Sequence, residues 1–354
     1  MTAGAPGGAP AASGAAGGRR WGLRGAAVSA LTVLLLWAQE TDARTRVVIG
    51  IGSPSASAVP LWTAADEGYF GKYGIDADLQ MIRGGTVTTA ALLSGQVKLA
   101  SVGVTQVVGP ATRGADLVMV LSLVDRMPYM LVVGPRIGAP ADLRGKRIGV
   151  TTLSGASHLA SHIALRQLGL EPRRDGITFL SIGPEIERVA ALMAGSIDAA
   201  MLAPHGVARM SRPPYRVLLD LRAAGGSWLH TGIATTRAFL RSSPTLAEGA
   251  LRAIVEGVAF VLDPGNGSAV RKVIGKHMRL AEGEVLETAY REALTELSWK
   301  PIPPLAGTAS VLRALAELGT ITGVERLGPL DIIDPGPMLR LDREGWLDRL
   351  RPPN

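Results

Sequence analysis

Ala90–Ala100, AALLSGQVKLA, and Ala190–Ala200, AALMAGSIDAA, decide how this chain is read, because the second repeats the first 100 residues later. Each is a short apolar helix, a glycine, and a β-branched residue opening a strand of small residues. Gly95 and Gly195 stand where a helix ends in a left-handed residue, a conformation that costs glycine nothing. Val97 and Ile197 then start short buried strands. Each strand runs into a polar, turn-prone segment, Gly103-Val104-Thr105 in the first copy and Ala203-Pro204-His205 in the second. A helix–strand unit repeated at this distance predicts two α/β lobes of like topology.

The bulk composition allows this. The 354 residues suffice for two lobes, and 47% hydrophobic with 19% charged describes a chain that folds. Aromatics are only 4%, so the core is aliphatic. Cys is 0, which excludes disulfides, thiolate metal sites and cysteine nucleophiles. The formal charge is +7, but residues 1–39 hold Arg19, Arg20 and Arg24 and no acid. The 37 Lys and Arg less those three leave 34 against 30 acids. That surplus forms no dense basic stripe, so no nucleic-acid partner is expected.

Residues 1–43 read as an address. Gly/Ala/Pro low complexity over 1–18 is expected to be disordered. Arg19–Arg24 then precedes the apolar run Ala26–Ala38, a charged region followed by a core of signal-peptide length. That run is short of the ~20 residues a membrane span needs. Export to the periplasm is expected. The paired arginines resemble a twin-arginine signal with Gly22 in place of a bulky apolar residue, so the Sec and twin-arginine routes both stay open.

From residue 44 the pattern alternates. Arg46–Gly52 is a β-branched first strand, Pro60–Phe70 a helix, and Ile75–Ile82 an alternating strand. Thr86 is a candidate cap for the first repeated helix. Leu117–Leu123 and Tyr129–Val133 are further strands. The second half repeats the theme through Arg147–Thr151, Ser157–Leu168, Gly176–Ile182 and the second copy. Helix follows strand throughout, which predicts mostly parallel sheets with helices on both faces. The expected organisation is 44–134 as lobe one, 135–230 as lobe two, and 231–320 as the return to lobe one with C-terminal helices. Residues 321–354 form a Pro-rich C-terminal tail.

VVIGIG, PLWTAADEGYFGKYGIDADL, ADLRGKRIGV and IERVAALMAGSIDAAMLAPH together resemble one family. It is the periplasmic substrate-binding proteins of ABC importers, in the nitrate/sulfonate/taurine and thiamine-pyrimidine-precursor group. The likeness runs from about Arg46 to Leu318. One departure is Lys98, where the family's first unit usually has an aspartate; the second unit keeps Asp198. The resemblance implies a two-lobed type II periplasmic-binding-protein fold, with hinge crossovers near Val133–Pro135 and Trp228–Ala234. It also implies an exported, monomeric binder that captures a small anionic or heteroaromatic molecule between its lobes. An ABC permease in the inner membrane would be its partner. An enzyme on the same fold and a ligand-dependent partner of a membrane sensor are the alternatives. A relative that makes a thiamine pyrimidine uses a cysteine-rich motif, which this chain lacks.

Ligands of open α/β sheets bind beyond the carboxyl ends of strands. Helix starts there offer free N–H groups to an anion. On that ground Ser53 and Ser57, then Gly85 and Thr86, then Thr105 are candidates in lobe one. Ser154, Ser157 and His158, then Pro204 and His205, are candidates in lobe two. Trp228, at the second crossover, is a candidate cover for an apolar ligand part. His230 also falls near the cleft. Trp62, Tyr69 and Phe70 read as core. His158 and His162 have the i, i+4 spacing of metal ligands, but no third ligand is evident, so no metal is expected. No nucleophile elbow, Walker loop or dinucleotide fingerprint is present, so no catalytic residue and no cofactor is expected.

Overall fold

The computed structural model describes Met1 and residues 44–82, 84–153, 155–210, 214–223 and 227–352. Met1–Ala43 and Arg44–Asn354 are separate units. The expected signal sequence over 1–43 lies outside the described residues. Among the described residues no helix is long and apolar enough to cross a membrane.

The strands in chain order are β1 (Thr45–Ile51), β2 (Ile75–Met81), β3 (Leu99–Gly103), β4 (Val118–Val124), β5 (Met130–Val133), β6 (Arg147–Val150), β7 (Thr178–Ser181), β8 (Ala199–Leu202), β9 (Arg216–Asp220) and β10 (Thr231–Thr235). They form two five-stranded sheets, ordered β2-β1-β3-β10-β4 and β7-β6-β8-β5-β9. Parallel pairs join β1 to β2 and β3, and β6 to β7 and β8. One strand in each sheet, β10 and β5, runs against both of its neighbours. The crossings explain this. β4 ends facing the other lobe, so β5 starts there and must run away from it. β9 and β10 repeat the step in the opposite sense.

The repeat holds in three dimensions. The helices Gly85–Leu93 and Glu185–Met193 are each 9 residues long, and each leads to a buried strand, β3 or β8. Gly95 and Gly195 have φ of 74° and 71°, as a helix-ending glycine requires. Strand alternation then sorts side chains to the two faces. In β5, Leu131 and Val133 join the cluster holding Ile148, Ala164 and Met201. Met130 and Val132 join the opposite cluster with Val189, Leu192 and Leu202. The first sheet is likewise covered on both faces.

Three expectations are corrected. The first crossing is 125–129, ahead of Val133–Pro135, because β5 pairs with β8 and β9 in the second sheet. The helix expected over Pro60–Phe70 is two, Val59–Asp66 and Tyr69–Lys72, divided at Gly68, whose φ is 73°. Thr86 is exposed and caps nothing; the helix begins at Gly85, after Gly84 at φ 94°. The tail is folded. β4 lies at a sheet edge yet is buried along its whole length, because the C-terminal segment covers it. Ile333 bridges Met119, Leu297 bridges Val124, and the Ser122 N–H donates to the Pro301 carbonyl at 2.9 Å. Met338, Leu341 and Leu347 enter the core of the first lobe. An edge strand is blunted in this way against pairing with other chains.

Candidate functional site

The cleft opens where the carboxyl ends of both sheets face each other. Lobe one supplies Gly52–Ser57 after β1, Gly85, Ser101–Gly103 at the end of β3, Gln106 and Val124. Lobe two supplies Thr151 and Thr152 after β6, Gly155–Ser157, Glu185, Arg188 and Ala203 after β8. The crossings bring Pro128, Tyr129, His230 and Thr231. The helix Glu284–Glu296, from the C-terminal set, adds Glu292 and Glu296. The space within the cleft, which is partly open to solvent, is about 130 Å³.

The polar wall of lobe two is built on Arg188, which is 2% exposed. Its Nη1 donates to Thr151 Oγ1 at 2.6 Å and to the Gly183 carbonyl at 2.7 Å. Its Nε donates to the Met201 carbonyl at 3.2 Å, and Nη2 lies 3.5 Å from Glu185 Oε2. Ser157 ties the same turn. Its Oγ accepts from the Thr151 N–H at 2.9 Å and donates to Thr151 Oγ1 at 3.1 Å.

His205 is buried between carboxylates. Nδ1 lies 2.7 Å from Glu292 Oε2, and the His205 N–H donates to the same oxygen at 3.2 Å. Nε2 is 3.5 Å from Glu185 Oε1. Burial pulls the imidazolium pKa down, but Glu292 and Glu185 outweigh it and raise it to about 9. This contact also joins the lobes, since Glu292 belongs to the C-terminal helices and His205 to lobe two. The start of the helix Pro204–Ala208 is therefore already taken. Glu185 accepts from the Ala203 N–H at 3.2 Å, and Glu292 from that of His205. The protein's own carboxylates sit where an anionic ligand was expected.

Glu296 and His230 are different in kind. Both are buried, both line the cleft, and Glu296 Oε1 and His230 Nε2 have no hydrogen-bond partner. Burial, then the neighbouring Glu292, pushes the Glu296 carboxyl well above the ordinary range. Burial lowers His230 to about 4, leaving a neutral ring whose Nδ1 sits 2.7 Å from Thr231 Oγ1. Tyr129 packs edge-on against that ring at 5.2 Å. Burial raises the Tyr129 phenol far into the alkaline range.

Of the residues singled out from sequence, Ser53, Ser57, Gly85 and Ser157 line this cleft, with His230. Thr105 and His158 line a smaller hollow with Leu153 and Leu315. Pro204, His205 and Thr86 do not line it; His205 is buried, Pro204 partly buried and Thr86 exposed. Trp228 is partly buried between two hydrophobic clusters. Ser154 lies outside the described residues. His158 and His162 stand Nε2 to Nε2 at 3.2 Å against Phe179. Among the described residues no cluster of three or more His, Asp or Glu could hold a metal.

Sequence reasoning missed Glu185, Arg188, Glu292 and Glu296. A signal existed for the last. Leu286, Ala289 and Ala293 mark the inner stripe of their helix, and Glu296 continues it at i+3. An acid on an apolar stripe is buried, and a buried acid needs a reason.

Two lobes, each with one reversed strand, and a cleft fed by the carboxyl ends of both sheets define the type II periplasmic-binding-protein fold. Residues 55–266 match the family described as NMT1/THI5 like, and the chain belongs to that family. Among solved structures, a Bordetella bronchiseptica RB50 protein aligns with a TM-score of 0.74 at 22% identity, over 85% of this chain and 98% of its own. The periplasmic aliphatic sulphonate-binding protein SsuA of Escherichia coli aligns at 0.62 and 20%, over 81% and 89%. The periplasmic nitrate-binding protein NrtA of Synechocystis PCC 6803 aligns at 0.68 and 13%, over 85% and 89%. At these identities the likeness is one of fold. Comparison with curated proteins finds no significant match.

Proposed function

We propose that this protein is an exported solute-binding protein that captures a small molecule in the interlobe cleft and delivers it to an ABC permease of the inner membrane. The observation that carries the reading is the cleft, lined from both lobes, both crossings and the C-terminal helices. A ligand held there touches every part that would have to move for the lobes to close. Family membership and the names of the structural neighbours support capture rather than catalysis. Residues 1–43 would supply the export signal, and the mature chain would act in the periplasm as a monomer. The resemblance suggests an anionic or heteroaromatic solute, and the cleft that would hold it presents Glu185, Glu292 and Glu296 together with Arg188 and His230.

Thermal unfolding of the mature chain against a solute panel tests the reading. A ligand at 100 times Kd is expected to add about 2.7 kcal/mol, with the solute recovered unchanged. Turnover of that solute would favour an enzyme. Uptake that survives loss of the permease would favour a sensor partner.

A further inference from the structure

Each of two cleft carboxyls has a built-in cation: Glu292 has His205 at 2.7 Å and Glu185 has Arg188 at 3.5 Å. The third has none. Among the described residues no Lys, Arg or His lies within ion-pair distance of Glu296, and its Oε1 has no partner at all. The guanidinium of Arg188 is largely committed within the wall, Nε and Nη1 being held by Thr151, Gly183 and Met201 and Nη2 facing Glu185 at 3.5 Å. His230 supplies an independent orphan, a neutral Nε2 at 8% exposure in the same cleft. Tyr129, in T-shaped contact with that ring, lines the cleft beside it.

We propose that the cleft takes a small organic nitrogen cation, an amidinium or primary ammonium. Its N–H groups donate to the Glu296 carboxylate, and Tyr129 and His230 complete the pocket. This rests on the solute-binding reading and names the ligand's charge within it. A buried carboxylate without a partner is costly, so Glu296 holds a proton when the cleft has no cation. When the cation enters, the Glu296 O–H bond breaks and the proton leaves to solvent. Charge-assisted N–H···O bonds form in its place. The groups that set this balance are Glu292 on the same helix, Glu185, His205 and Arg222 from lobe two, and Arg188, Tyr129 and His230 around the cleft. Arg209 acts on His205.

The experiment uses the mature chain at pH 7 with five probes: benzamidine, ethylamine, methanesulfonate, nitrate and uracil. A dose-dependent rise in melting temperature is expected with benzamidine or ethylamine and with none of the others. Calorimetry of the responding cation in buffers of different ionisation enthalpy is expected to report about one proton released per cation bound. Glu296→Gln, close to isosteric, is expected to stay folded by circular dichroism and to weaken that binding at least tenfold. Glu296→Asp serves the same purpose if the amide fails to fold. A response to an anion or to uracil but not to a cation overturns the cation and leaves solute capture intact. Unchanged cation affinity in the Glu296 variant also overturns it. Silence from all five probes and from a concentrated metabolite extract overturns both the cation and solute capture.

Discussion

Arg188 shows how one buried side chain organises the wall of a cleft. Its fork ties the turn after β6 (Thr151), the turn after β7 (Gly183) and the end of β8 (Met201). Three loops from three strands are thus held in one register. Arg188→Met would leave those acceptors unpaired and Glu185 with His205 as its one remaining cation among the described residues. The expected loss is about 3 kcal/mol in urea unfolding. Arg188→Lys would keep the charge and lose the planar fork, and should recover less than half of it. A loss below about 1 kcal/mol for the methionine variant would show that the guanidinium does not hold the turns. The residue scale is also where sequence says least. Ser53, Ser57, Gly85 and Ser157 were legible because loops after strands are where such sites lie. Glu185 opens a helix and Arg188 lies on its buried stripe with Val189 and Leu192, a placement the short sequence EIERVAALM carries only weakly.

The elements were more legible, since hydrophobic period and glycine placement are local properties. Both repeated units emerged with the 100-residue offset intact. What sequence did not show was which strand pairs with which. Tyr129–Val133 reads as the last strand of lobe one, and only its pairing with β8 and β9 places it in the second sheet. Helix contacts have the same non-local character. The helix Pro244–Leu262 crosses Val59–Asp66 at Gly257, where a Cβ would run into the Pro60 carbonyl oxygen. Gly257 is a position of close backbone approach, and its lack of a side chain sets the distance between two helices of the main core. Alanine normally favours a helix interior over glycine by ~1 kcal/mol. Here Gly257→Ala should instead destabilise by about 1–3 kcal/mol, as overpacking does. A variant as stable as the parent, or more so, would show that the two helices can separate freely.

At the scale of the whole molecule the two lobes meet through ionisable groups, so stability should depend on pH in a predictable way. His205 has its folded pKa raised to about 9, against an ordinary value near 6.5. A raised pKa means the folded chain holds the proton more tightly than the unfolded one. Its contribution is complete below about 6.5 and is lost as pH climbs through about 9. The raised Glu296 carboxyl has the same sign, with a window opening near the ordinary glutamate value of 4.5. His230 is the reverse. Its pKa is lowered to about 4 by burial, so its contribution is complete above 6.5 and is lost as pH falls through 4. Stability should therefore fall with rising pH through the windows of Glu296, from about 4.5, and His205, from about 6.5, while His230 alone gives the acid limb and is opposed by Glu296 above 4.5. Each histidine accounts for on the order of 3 kcal/mol across its window. Urea unfolding of the mature chain from pH 4 to pH 10 measures this. His205→Gln should lower stability at pH 6 and flatten the slope between 6.5 and 9 while leaving the acid limb in place. His230→Gln should flatten part of the acid limb only. An alkaline slope unchanged in His205→Gln would mean that the contact between His205 and Glu292 does not couple the lobes to the proton.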